Sequence, residues 1–257
     1  PLGDLVRFGD KDSSSITSSG NEYAVVWRLF ETTLLRFARL DSSGTLIGPE
    51  TPLGDGAAYG IVWTGTGYGV ALQDSGEHRL LRISPTGTIV GSTLIHDGGS
   101  GRDIAWSGSE YGVLITAQDQ AGTFQLYFSR LDALGYRIGP MRQLSASATG
   151  TSGGSLVWAS GEWGVAWEES VPGGKDVFFA RIDIEGQRAG AVRRVTDLTV
   201  SKQPSLAWSG AEYVLSFVDS RDGHSEIYMA RLDALGEPVG AHVRVTVTDS
   251  WDAAWRP

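Results

Sequence analysis

The sequence predicts an all-β fold, a five-bladed β-propeller of four-stranded antiparallel blades, with the ring closed by pairing of the N- and C-terminal strands. Three observations predict it. A G-x-E-Y-like turn and strand start places an aromatic at Tyr23, Tyr68, Tyr111, Trp163 and Tyr213, spaced 45, 43, 52 and 50 residues apart. An arginine followed five residues later by glycine falls at Arg39, Arg82, Arg130, Arg181 and Arg231, spaced 43, 48, 51 and 50, so two independent markers keep step. The 35 glycines among 257 residues favour many tight turns over long helices. A unit of about 40 to 50 residues holding four short strands, repeated, is the signature of a propeller blade.

Each element of the unit can be justified in order. In the fifth, SLAW (Ser205 to Trp208) reads as the first strand, with Leu206 and Trp208 on one face by the period of two. The second strand, YVLSF, alternates Tyr213, Leu215 and Phe217 with smaller residues, and "YGVAL", "YGVLI" and "WGVAW" repeat that pattern. Small residues such as Gly69, Gly112 and Gly164 fit sheets stacked closely on both faces. IYMARL is the third strand, and the VRVT-like run near Val243 to Thr246 the fourth. Turns of nearly fixed length join strands one and two (SGNE, SGSE, SGAE) and strands three and four (DSSG, SPTG, DALG, DIEG), where glycine supplies positive φ and Asp or Ser caps the turn. The units run over approximately 13–56, 57–99, 100–150, 151–201 and 202–250, followed by a strand at 251–257. That last strand, DAAW, ends on Trp255, 15 residues after Gly240, the spacing also seen from Gly48 to Trp63 and from Gly91 to Trp106. The first unit has Ser18 where the others have tryptophan. Either the C-terminal strand joins the first blade, with the LVRF run pairing at the seam, or the chain belongs to a longer array; closure is the expectation.

Composition narrows the function classes. A net charge of -9 argues against nucleic acid and anionic membrane, which reward clustered Lys and Arg. No apolar run reaches the roughly 20 residues that span a bilayer. Cysteine is absent, so no disulfide or thiolate metal site contributes. No G-x-S-x-G, H-E-x-x-H or phosphate-loop motif occurs.

"DSRDGHSEIYMARLDALG" (Asp219 to Gly236) resembles the propeller repeats of TolB-like bacterial proteins, which carry an S/D-R-D-G-x-x-(D/E)-I-Y run before an Asp-x-x-Gly turn. The match is fullest in this fifth unit and looser in the third and fourth. Unit count and repeat length are also similar to those of the tachylectin-type five-bladed lectins. The resemblance implies a secreted, periplasmic or cell-surface binding propeller.

In an up-and-down blade the loops after strands two and four emerge together, opposite the tight turns, and they carry the length variation. Variable loops on a rigid scaffold are where binding concentrates. Asp74, Asp119, Glu169 and Asp219 close the second strand in four of the five units. Such a rim of carboxylates could hold Ca²⁺ or supply an acid/base pair for glycoside hydrolysis; otherwise these residues shape exposed loops. Arg221, Asp222 and His224 belong to the part of the fifth unit that does not repeat, and Trp251 lies in an inter-blade segment outside the strand alternation. The tryptophans at 63, 106, 158, 208 and 255 recur as inter-blade core. The arginine series, with Asp41, Asp132, Asp183 and Asp233 two residues on, suggests blade-to-blade pairing or stacking on tryptophan.

The expected function is non-enzymatic binding of a glycan or protein surface through the loop-bearing face, with no cofactor beyond a possible Ca²⁺ ion and no nucleic-acid partner or membrane insertion. A polysaccharide-acting hydrolase or lyase using rim carboxylates and a structural segment of a larger surface protein are the alternatives.

Overall fold

The computed structural model describes residues 11–29, 32–197 and 201–247. The LVRF run, Trp251, Trp255 and the strand at 251–257 lie outside the described residues, and so does the ring closure expected of them.

The chain folds as five four-stranded antiparallel sheets, the blade architecture of a five-bladed β-propeller, with no helix among the described residues. Blade one comprises β1 (Lys11–Ser18), β2 (Glu22–Leu29), β3 (Leu34–Asp41) and β4 (Thr51–Asp55). Blade two comprises β5 (Ala57–Trp63), β6 (Tyr68–Asp74), β7 (Glu77–Ile83) and β8 (Ile89–Asp97). Blade three comprises β9 (Ser100–Trp106), β10 (Tyr111–Gln118), β11 (Phe124–Leu131) and β12 (Arg142–Gln143). Blade four comprises β13 (Thr151–Ala159), β14 (Glu162–Val171), β15 (Gly174–Ile182) and β16 (Arg193–Arg194). Blade five comprises β17 (Ser201–Trp208), β18 (Tyr213–Asp219), β19 (Glu226–Leu232) and β20 (Val243–Arg244). In every sheet the strands are hydrogen-bonded in chain order. By compactness the chain divides into one unit of Pro1–Ala117 with Phe128–Met141 and another of Gln118–Tyr127 with Arg142–Pro257.

The second strand of each blade explains how neighbouring sheets meet. In the first unit, Tyr68, Val70 and Leu72 of β6 turn to blade one and join Val26, Leu35 and Phe37 in one apolar cluster. On the opposite face of blade two, Ala71 and Leu80 pack with Tyr111, Val113 and Ile115 of blade three. Gly69 allows this approach, because a Cβ there would lie 2.4 Å from Cε1 of Tyr111. The second unit repeats the device. Gly164 admits the Tyr213 ring, again with 2.4 Å to a would-be Cβ, while Ala166, Val177 and Phe179 pack against Leu206, Leu215 and Phe217.

The recurring tryptophans are half-buried and pack, with their rings tilted or edge-on, against the aromatic that faces them across the first hairpin. Trp63 meets Tyr68, Trp106 meets Tyr111, Trp158 meets Trp163 and Trp208 meets Tyr213, with ring centroids 4.6–4.8 Å apart. In blade one Ser18 occupies the tryptophan position opposite Tyr23, which is 41% exposed.

The arginine series departs from expectation. Arg39, Arg130 and Arg231 grip Glu22, Glu110 and Glu212 bidentately through Nε and Nη2, at 2.7–2.9 Å, and Arg181 reaches Glu162 through Nη1. These are bonds within a blade, from strand three to the glutamate that opens strand two. The aspartates two residues on are engaged elsewhere: Asp41, Asp132 and Asp233 each accept two backbone N–H bonds inside the tight turn that follows, and Asp183 accepts one from Gln187.

The fourth strand is also shorter than expected in blades three to five, only two residues long. A hydroxyl takes over where the ladder stops. Ser145, Thr196 and Thr246 accept the N–H of Leu126, Val177 and Ile227 at 2.8–3.0 Å.

Candidate functional site

The described residues expected to carry function lie where strand two hands over to strand three, and blades two to five use them differently. In blade two the turn is minimal. Ser75 and Gly76, with φ of 50° and 93°, link Asp74 to Glu77 as a two-residue hairpin, the turn whose twist matches the flanking strands. DSGEH is therefore a tight turn, and Asp74 is held at its rim by the Ser75 hydroxyl. Asp74 lines a groove of about 600 Å³ with Arg28, Thr33, Asp55, Gln73 and Ser75. Gly56 forms part of its floor, packed so closely that a Cβ would stand 2.5 Å from the Gln73 carbonyl oxygen. The Gln73 amide is anchored to the carbonyl of Gly99 at 2.9 Å, and Thr33 donates to Asp55.

Asp119 lies just beyond the end of β10. Its Oδ1 accepts the N–H groups of Ala121 and Thr123 at 2.9 Å, and Oδ2 accepts Gln125 at 3.2 Å. These bonds, led by that from Thr123, hold its carboxyl below the ordinary range, so it caps a turn.

Glu169 and Asp219 occupy equivalent blade positions and are driven in opposite directions. Burial pushes the Glu169 carboxyl above its usual value, with the Trp167 indole N–H, 2.8 Å away, opposing. Glu169 lines a cavity of about 380 Å³ with Gln143, Ser145, Trp167, Phe178 and Arg188. Asp219 is wholly buried. Burial would raise it too, but bonds from Arg221 and Ser201 outweigh that and hold it below the ordinary carboxylate range.

The fifth blade brings Asp219, Arg221 and Asp222 into one network. Arg221 donates to Asp219 from Nε and Nη2 at 2.9 and 2.7 Å, lies over the Tyr228 ring at 4.4 Å and approaches Nδ1 of His242 at 3.3 Å. Tyr228 donates its hydroxyl to Asp222. Arg244 contacts Asp222 at 3.4 Å and the buried Glu226 at 2.7 Å. His224 is exposed on the same turn. Each carboxylate here meets a guanidinium, with Arg244 shared between Asp222 and Glu226. Its partners Arg244 and Thr246 come from the VRVT run, and blade four repeats the lock with Asp176, Arg194 and Thr196.

Among the described residues no three His, Cys, Asp or Glu side chains are grouped to hold a metal ion. Asp74, Asp119, Glu169 and Asp219 are each engaged within their own surroundings. Sequence reasoning missed Thr33, Asp55 and Gln73. The aspartate in the Asp55-Gly56 pair between blades was the available signal.

By sequence, no family model and no characterised protein matches the chain. By fold it is similar to a protein of Agrobacterium tumefaciens assigned as TolB, at 16% identity and TM-score 0.57, covering 92% of this chain and 80% of that one. TolB from Acinetobacter baumannii is similar at 15% identity and TM-score 0.56, with 89% and 53% covered. A xylan β-1,4-xylosidase from Bacillus halodurans is similar at 13% identity and TM-score 0.54, with 90% and 54% covered. The likeness is one of fold.

Proposed function

We propose that this chain is a non-enzymatic binding propeller and that its ligand is a glycan, taken up in the groove lined by Asp74. One observation carries the reading: the groove gathers a guanidinium, two hydroxyls, an amide and two carboxylates from both blades of its walls, a set that can donate to and accept from sugar hydroxyls. Tight backbone packing at Gly56 keeps it preformed, which lowers the ordering cost of binding. Glycan-array screening followed by calorimetry on the best binder tests it. Asp74→Ala and Thr33→Ala should each weaken binding at least tenfold without changing the melting temperature; unaltered affinity in both would refute the groove.

The fold resemblance to TolB repeats supports a place of work outside the cytoplasm, which cell fractionation of the native producer checks. A hydrolytic reading is favoured by one feature, the raised Glu169 carboxyl, since a general acid must be protonated near neutral pH. Glycoside hydrolysis asks for a second carboxylate about 5 to 10 Å away, and the residues lining the Glu169 cavity include no other acid. Polysaccharide turnover abolished by Glu169→Gln would establish that reading and displace ours.

A further inference from the structure

We propose that Arg82, at the tight-turn end of blade two, is a receptor for the carboxylate group of an external ligand. The repeat itself supplies the template. In blades one, three, four and five the marker arginine is closed by the glutamate that opens strand two. Blade two has Gly67 at that position, because its turn reads TGTG where the others end in Glu. Nε, which donates to the glutamate in blades one, three and five, is in Arg82 a buried donor with no hydrogen-bond partner among the described residues. Burying a donor without a partner is unfavourable, and a carboxylate is the group its four counterparts take.

A second element of the template is in place. Tyr68 of blade two donates its hydroxyl to the Glu22 carboxylate of blade one at 2.5 Å, beside the Arg39 guanidinium. One blade along, Tyr111 brings its hydroxyl over Gly69, within 3.1 Å of where a Cβ would stand, and Gly69 is the residue facing Arg82 across the ladder. Burial pushes the Tyr111 hydroxyl up to about 12, with the Arg82 charge opposing, so the phenol stays a donor beside the cation at neutral pH. The guanidinium rests on Gly91, where a Cβ would be 2.4 Å from Nη2. Arg82 is only half-buried, so rotation about its side-chain torsions off that glycine presents Nε and Nη2 together. Fork geometry then favours a planar carboxylate bound bidentately. The site lies at the opposite end of the blade from the Asp74 groove and stands whatever that groove binds.

The test follows the arginine Nε resonances of ¹⁵N-labelled protein during titration with sodium acetate against sodium chloride at constant ionic strength. One resonance, lost in Arg82→Gln, should shift saturably, while those of Arg39, Arg130 and Arg231 stay still because their own glutamates occupy them. Arg82→Lys, which keeps the charge and removes the fork, should weaken acetate binding at least tenfold at unchanged melting temperature, and Tyr111→Phe should weaken it severalfold. Glu22→Gln should open a second acetate-responsive site at Arg39. Glucuronate and N-acetylglutamate arms then separate an acidic sugar from an acidic peptide as the source. A linear, non-saturating response, a shift that survives Arg82→Gln, or Arg82→Lys binding as well as the native protein would overturn the proposal.

Discussion

Replacing Asp219 by asparagine probes the fifth blade where it is most committed. The carboxylate is fully buried and accepts four hydrogen bonds, from the Arg221 backbone N–H at 2.8 Å, from Nε and Nη2 of Arg221 at 2.9 and 2.7 Å, and from Ser201 at 2.6 Å. An asparagine keeps one oxygen but turns an NH₂ toward two donors. Removing one partner of a buried ion pair costs about 3 to 5 kcal/mol. The Arg221 side chain is 23% exposed and stacks on Tyr228, so the stranded cation can turn to water and the lower figure applies. At about 2 to 4 °C per kcal/mol for a chain of this size, a loss of about 3 kcal/mol lowers the melting temperature by about 6 to 12 °C. Differential scanning calorimetry at pH 7 measures it, with Asp119→Asn as control, since asparagine can still accept the turn N–H groups there and should cost less than about 1 kcal/mol. The sign of the pH dependence is fixed as well. Because the folded carboxyl lies below its ordinary value of 3.8, its stabilisation is present above that pH and disappears as the pH falls through the folded value. Asp219→Asn should lose that acid-range component. A fall of less than about 3 °C, or one matched by Asp119→Asn, would refute the reasoning.

Three further outcomes are expected. His78 is fully buried and burial, then the charge of His96, hold its pKa below 6.5; its contribution is therefore present above pH 6.5 and lost as pH falls below, so His78→Leu should flatten the thermal-stability profile on the acid side of pH 6.5. An unchanged slope in melts across that range would contradict this. Gly164→Ala forces a methyl group into the Tyr213 ring and should cost about 1 to 3 kcal/mol by urea titration; a neutral result would mean the blades can move apart. Trp106→Ala removes the tilted ring contact with Tyr111 and should cost about 2 to 3 kcal/mol, less than for a fully buried tryptophan, with loss of near-ultraviolet ellipticity as the spectroscopic check.

The fold was legible because its markers are tied to geometry that cannot vary between blades. Tyr68, Tyr111 and Tyr213 must cross to the preceding sheet, and Asp132 and Asp233 must accept the same two turn amides, so both recur at one period. The partner of the arginines was harder to read. Arg39 has Asp41 two residues away and Glu22 seventeen away, and spacing favours the nearer acid, whereas the turn amides claim it first. Thr246 looked like a strand residue because its hydroxyl replaces a ladder bond without changing the β-type composition. For the site, Asp74 was visible as a strand-closing residue, but the groove around it draws Thr33 from just before β3, Asp55 from β4 and Gln73 from β6, in two blades. Only the folded chain brings these together. DSGEH and QDQAGTF looked alike as loops, yet positive φ at Ser75 makes the first a two-residue hairpin.

Tyr23, facing Ser18 with 41% of its surface exposed where Tyr68, Tyr111, Trp163 and Tyr213 keep 1–2%, marks the hairpin least covered by its own aromatic. Local opening is easiest where few buried apolar contacts cover the backbone. Amide exchange should therefore be faster in the hairpin of Ser18 and Tyr23 than in its counterparts at Trp63–Tyr68, Trp106–Tyr111 and Trp208–Tyr213, so that one repeated element carries unequal protection according to a single tryptophan.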